Sequence, residues 1–254
     1  MNKKIIWLIL FFCKNTLAMN DNQFANTLFQ VGNPSALFAG AIEGNTTYRE
    51  IKQHGNFGLG TFNGIKGEMI AINGMFYQIL QDGKTVPVNL DWKTPFAQVI
   101  NFKPTLFADI QETENYTRLK AAISNAINNK NIPYAVKIDG KFNFITMRSR
   151  TPRSALNTKA IHENIYTANN VSGTLVGFWF PDYLMNIGAP GFHFHFISND
   201  KKLSGHVMDI SVQHAQVSIQ QINDIFLLFP TTEIYKKANI IAPTLETYKK
   251  AQLK

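Results

Sequence analysis

Apolar and polar positions alternate with a period of two over much of this chain, the pattern of half-buried strands. Glu68 to Asn73 alternates so that Glu68, Ile70 and Ile72 share one face, and Met75 to Leu80 follows before the turn Gln81-Asp82-Gly83-Lys84. Gln98 to Phe102 reads as another strand. Tyr134 to Ile138 and Phe142 to Met147 read as two strands joined by a hairpin turn at Asp139-Gly140. Strands continue at Thr174 to Phe180, Gly191 to Ser198, Gly205 to Gln213 and Val217 to Gln221, with a short apolar segment at Asp224 to Leu228. Helical spacing is strongest from Thr113 to Asn129, where Tyr116, Leu119, Ala122, Ile123 and Ile127 fall on one face. Shorter helices are expected from Thr46 to Gln53 and, behind Pro243, from Thr244 to about Leu253. The glycines between residues 55 and 67 have the spacing of neither a dinucleotide fingerprint nor a P-loop, so they mark turns and close backbone approach. The pattern predicts an α+β chain, rich in mostly antiparallel or mixed sheets. Two domains are expected, over 19–150 and 151–254.

The first 18 residues depart from this pattern. Lys3 and Lys4 precede an apolar run from Ile5 to Cys13, and Thr16-Leu17-Ala18 resembles a cleavage site. This is the layout of a signal peptide, and the run is too short for a membrane helix. Export and cleavage after Ala18 are therefore expected, with no membrane association afterwards. Cleavage removes Lys3, Lys4 and Lys14, lowering the net charge from +8 to +5, and removes Cys13, the single cysteine. A disulfide framework and a multi-thiolate zinc site are thereby excluded. The remaining lysines are scattered rather than blocked, which argues against a nucleic-acid partner. With 254 residues, 45% hydrophobic and 17% charged, the chain has a globular composition.

Candidate chemistry concentrates in the histidines. The run Gly191-Phe192-His193-Phe194-His195-Phe196 places His193 and His195 on one face of a strand and the three phenylalanines on the other. If the next hairpin turns about the Asp200–Lys201 bond, His206 falls opposite His195 and diagonal to His193. Three imidazoles then converge within about 5–8 Å. Three imidazoles suit zinc, as well as iron, copper or nickel, and leave a coordination position for water or substrate. His54, His162 and His214 stand apart and have no assigned role. The chain has neither a Gly-x-Ser-x-Gly elbow nor a His-Glu-x-x-His helix.

Four segments in order carry a resemblance: Gly60-Thr61-Phe62-Asn63-Gly64-Ile65-Lys66-Gly67-Glu68-Met69-Ile70, Thr94-Pro95-Phe96-Ala97, Gly177-Phe178-Trp179-Phe180-Pro181 and Gly191 to Ser198. Together they resemble the α-acetolactate decarboxylase family over about residues 24–252. The resemblance implies a two-domain, β-rich and dimeric zinc enzyme. It would convert 2-acetolactate to acetoin and carbon dioxide, with the metal stabilising an enediolate. It implies His193, His195 and His206 as metal ligands, Glu68 and Arg148 as active-site residues, and Thr61 as a residue lining the substrate pocket. A further glutamate is implied near the C-terminus, where this chain has Gln252; either Glu246 serves in its place or that acid is absent. An exported metal- or ligand-binding protein of this fold without decarboxylase activity is the alternative.

Overall fold

A computed structural model describes residues 26–150 and 163–248. Residues 1–18, expected to be a signal peptide, and Gln252 lie outside the described residues. In chain order the strands are β1 (Thr27–Val31), β2 (Thr46–Thr47), β3 (Phe57–Thr61), β4 (Glu68–Ile72), β5 (Met75–Ile79), β6 (Thr85–Pro87), β7 (Lys93–Thr94), β8 (Ala97–Ile100), β9 (Leu106–Ile110), β10 (Tyr134–Arg150), β11 (Glu163–Phe180), β12 (Gly191–Ser198), β13 (Ser204–Gln221) and β14 (Asp224–Leu228). The helices are α1 (Pro34–Phe38), α2 (Tyr48–Ile51), α3 (Tyr116–Ala126) and α4 (Glu233–Lys237). None of the described helices is long and apolar enough to cross a membrane.

The strands form two main sheets. One runs β14-β1-β8-β3-β4-β5-β6 and is mixed, because β1 is parallel to β14 and antiparallel to β8. The other runs β10-β11-β12-β13-β9 in antiparallel order, and β10 also pairs with β13, so that β10, β11, β12 and β13 close on themselves. The α+β, β-rich class read from the alternation is therefore the observed one.

Burial follows the alternation. Phe57, Leu59, Ile70 and Ile79 of the first sheet pack against Val176, Phe178 and Ile197 of the second. Phe192, Phe194 and Phe196 face the other way, into a core with Phe142 and the apolar stripe of α3, where Tyr116 packs on Phe194 at 6.5 Å between ring centres. Each fully buried phenylalanine of this kind stabilises the fold by about 1.5–3 kcal/mol. Asn115 caps α3 by accepting from the Arg118 amide at 3.0 Å. The expected helix at 46–53 is shorter, because Thr46 and Thr47 pair as β2 with Thr94 and Lys93. A capping box between Thr47 and Glu50 then starts α2. Of the expected C-terminal helix, residues 245–248 are helical and the remainder lies outside the described residues.

One turn expectation is overturned. Asp139-Gly140 is not a turn but the middle of the single 17-residue strand β10. Asp139 accepts from Thr174 Oγ1 at 2.7 Å and pairs with Lys137 Nζ at 2.7 Å, so its carboxylate finds partners within the sheet. Gly140 lies between Gly173 and Ala215, and a Cβ there would meet Ala215 Cβ at 2.7 Å. The glycine serves close strand approach rather than a reversal of direction. The two segments expected within 205–221 are likewise one strand, β13. Residue 150, where a division was expected, is the last residue of β10 and pairs with Glu163 in the second sheet.

Candidate metal centre

The inner face of each sheet contributes to one buried cluster. Alternation sends His193 and His195 from β12 toward the first sheet, alongside Ile197. The hairpin to β13 sets His195 opposite His206, and β10 sets Arg148 against the other edge of His206. His195, His206 and Arg148 thus form a cross-strand row. Glu68 arrives from the first sheet at the start of β4, just after Gly67, whose φ of +82° suits glycine. A Cβ at Gly67 would also meet the Ile79 carbonyl oxygen at 2.2 Å.

Ligand-type nitrogens of the three histidines lie within 4.8 Å of one another. Glu68 Oε2 is 2.8 Å from His195 Nε2 and 3.5 Å from His206 Nδ1. His193 Nε2 is 3.2 Å from His206 Nδ1, close to the ~3.3 Å edge of a tetrahedron built on bonds of about 2.0–2.1 Å. The remaining nitrogen of His195, Nδ1, faces the Met69 carbonyl at 2.9 Å, which orients the ring and leaves Nε2 directed at the cluster. Glu68 Oε2 is buried with no aligned hydrogen-bond donor, despite its imidazole neighbours. Three ring nitrogens this close together, with a buried carboxylate oxygen beside them, fit a divalent transition metal held by the histidines.

The electrostatics agree with that donor set. Burial lowers His193 well below the usual histidine range, and His206 and His195 add to the effect. Burial and the Arg148 guanidinium push His206 down to about 3. Burial raises the Glu68 carboxyl, but His195 and His206 outweigh it and hold the group well below the carboxylate range. Neutral imidazoles and an ionised carboxylate are the forms that bind a metal. Both shifts mean that the unfolded chain binds more protons than the folded one, first below the ordinary histidine value of about 6.5 and then below that of glutamate, about 4.3. The chelator-treated protein is therefore expected to lose thermal stability steadily as the pH is lowered from about 7 to about 5. A melting temperature that holds constant or rises over that interval would contradict the burial of neutral histidines.

Arg148 is 1% exposed, with Nη2 3.3 Å from His206 Nε2 and Nη1 3.2 Å from Glu163 Oε1. Thr61 lies opposite Glu68 on β3, but its hydroxyl donates to the Gly67 carbonyl at 2.7 Å and so closes the turn that delivers Glu68. Glu246 is exposed in the segment 245–248, beside the buried Tyr248, whose ring packs edge-on against Phe38 at 5.2 Å. Of the other described histidines, His54 stacks on Phe29 at 3.8 Å and His214 pairs with Lys141 on β10. Glu163 and the Met69 carbonyl were missed from the sequence. Glu163 carried one signal: Arg148 and Arg150 share a face of one strand and call for an acid nearby.

Comparisons with known proteins agree with one another. Residues 28–242 match the family described as Alpha-acetolactate decarboxylase. The alpha-acetolactate decarboxylase of Methylococcus capsulatus is 37% identical over 217 residues, 84% of this chain and 84% of that one. That of Methanosarcina mazei is 35% identical, over 82% of this chain and 73% of that one. Among solved structures, the alpha-acetolactate decarboxylase from Bacillus subtilis strain 168 superposes with a TM-score of 0.82 at 29% identity, covering 89% of this chain and 98% of that one.

Proposed function

Because the chain belongs to the alpha-acetolactate decarboxylase family and is a decarboxylase by that membership, we propose that it converts 2-acetolactate to acetoin and carbon dioxide at the His193–His195–His206–Glu68 cluster. The observation that carries this reading is the buried Glu68 oxygen among three imidazole nitrogens, with the Arg148 guanidinium beside them. We assign zinc to the three histidines. His193, His195 and His206 would hold the ion, which would supply Lewis acidity to the bound substrate.

Acetolactate is a β-keto acid, so its own ketone accepts the electron pair left by carbon dioxide, and no pyridoxal or thiamine is required. Arg148 faces the site with a permanent cation and binds the substrate carboxylate or the oxyanion that develops as an enediolate forms. Burial strengthens its attraction for an anion, since few waters compete for the guanidinium. Glu68 orients the substrate hydroxyl or moves the proton that completes acetoin. The inter-sheet apolar residues exclude bulk water from these groups. A homodimer and export belong to the same reading, supported by the family resemblance and by the layout of residues 1–18.

The test is acetoin formation from racemic 2-acetolactate by the purified chain, with and without a chelator. Acetoin is expected, with loss on chelation and recovery on adding zinc. Absence of acetoin from a folded, zinc-loaded protein would overturn the reading. Glu246→Gln in the same assay assigns the tail carboxylate: lost turnover places it in the reaction, and unchanged turnover removes it.

A further inference from the structure

We propose that Glu163 is the positioning residue for Arg148, an inference that rests on the decarboxylase reading above. Glu163 opens β11 directly opposite Arg150, and its carboxylate takes two arginines at once. Arg148 Nη1 donates to Oε1 at 3.2 Å and to Oε2 at 3.4 Å, while Arg150 Nε donates to Oε1 at 3.1 Å. Side-chain exposure rises outward along this row, from 2% at Arg148 through 15% at Glu163 to 26% at Arg150. Arg150 lines a surface groove of about 430 Å³ together with Lys66, Gln78 and Asp82. Glu163 therefore stands between the buried centre and this groove, with one arginine on each side.

A long arginine side chain has many rotamers, and ordering it against a catalytic centre needs a fixed partner. His206 is a poor one. Its Nδ1 is turned toward the cluster, so once Nδ1 holds a metal the hydrogen of the neutral ring sits on Nε2. Nε2 then meets Arg148 as a second donor. Glu163 has the opposite chemistry, acceptor atoms and a negative charge. It also offsets repulsion between Arg148 and Arg150, two residues apart on one face of β10. The start of its strand is anchored by neighbouring side chains, since Asn164 Nδ2 donates to the Gln81 carbonyl at 3.0 Å and the Tyr166 hydroxyl donates to the Ser204 carbonyl on the strand of His206. Without that carboxylate, Arg148 loses the anionic partner that fixes its guanidinium beside His206.

The experiment is a double-mutant cycle of Glu163→Gln and Arg148→Gln in the zinc-loaded full chain. Glu163→Gln is expected to lower kcat/KM by about 10- to 100-fold, the range for a lost charged hydrogen bond, with metal content unchanged. Arg150→Gln is expected to stay within about threefold of wild type, because Glu163 still holds Arg148. The double variant should be no slower than Arg148→Gln alone, an epistasis that a merely structural role for Glu163 does not produce. Independent, multiplying losses would overturn the proposal, as would a Glu163→Gln enzyme close to wild type. Glu163→Asp, which keeps the charge on a shorter arm, carries the same cycle if the amide variant does not fold. Calorimetric binding of 2-hydroxyisobutyrate, a hydroxy acid with no ketone to accept electrons, repeats the cycle without turnover. Coupling in that affinity from a chain that makes no acetoin would sink the decarboxylase reading and leave the positioning role. Acetoin formation with no coupling in either measurement would do the reverse.

Discussion

His195→Ala is expected to lose bound metal and decarboxylase activity together. His195 is 2% exposed, and its ring is oriented by the Met69 carbonyl so that Nε2 enters the cluster beside Glu68. Alanine removes a ligand from a three-imidazole set and leaves two histidines, too few for a stable site of this type. Loss of an orienting partner alone typically costs about 10–100-fold in affinity, and loss of the ligand itself costs more. Metal analysis after dialysis should fall from about one ion per chain to background, with acetoin formation falling at least ~1,000-fold. Thermal melts separate this from misfolding. A protein that binds metal only when folded is stabilised by it, so chelation should lower the wild-type melting temperature and leave that of His195→Ala unmoved. Full activity in a variant without metal would refute the centre.

Glu68→Gln is expected to keep the metal and lose turnover. The two side chains have nearly the same shape, and all three histidines remain. What disappears is the negative charge and the capacity to exchange a proton. Glu68 is 6% exposed, and its neighbours hold it ionised against the cost of burial, as befits a group that acts as an anion. A positioned acid–base group contributes about 10²–10⁴-fold, and kcat should fall by that much with metal content near one per chain. Wild-type turnover would remove Glu68 from the mechanism. Loss of metal alongside turnover would instead make Glu68 a ligand.

Much of the centre was legible in the sequence because it obeys local rules. Strand alternation alone puts His193 and His195 on one face with the phenylalanines behind them. A short turn at Asn199 to Lys202 returns the chain, and the structure has His195 opposite His206. The apolar stripe of α3 was likewise readable from its spacing. Other local signals failed where tertiary packing outweighed them. Asp139-Gly140 is the usual signature of a hairpin, but its carboxylate is satisfied by Thr174 and Lys137 and its glycine by the close approach of Ala215. β1 carries no clean period, because Gln30 interrupts its apolar run. In the fold Gln30 is fully buried, donating to the Gly32 and Ile187 carbonyls and accepting from Gln98.

The sequence by itself determined the class of fold, the helix α3 and the convergence of three histidines, since each follows from periodicity over a few neighbouring residues. Only the tertiary structure decided what meets them. Glu68 comes from the other sheet, Arg148 from β10, and Glu163 from the start of β11. Their meeting depends on how two sheets face each other and on the register of the β10–β11 and β10–β13 pairs. Those are set by packing between segments far apart in the chain, and no local period encodes them.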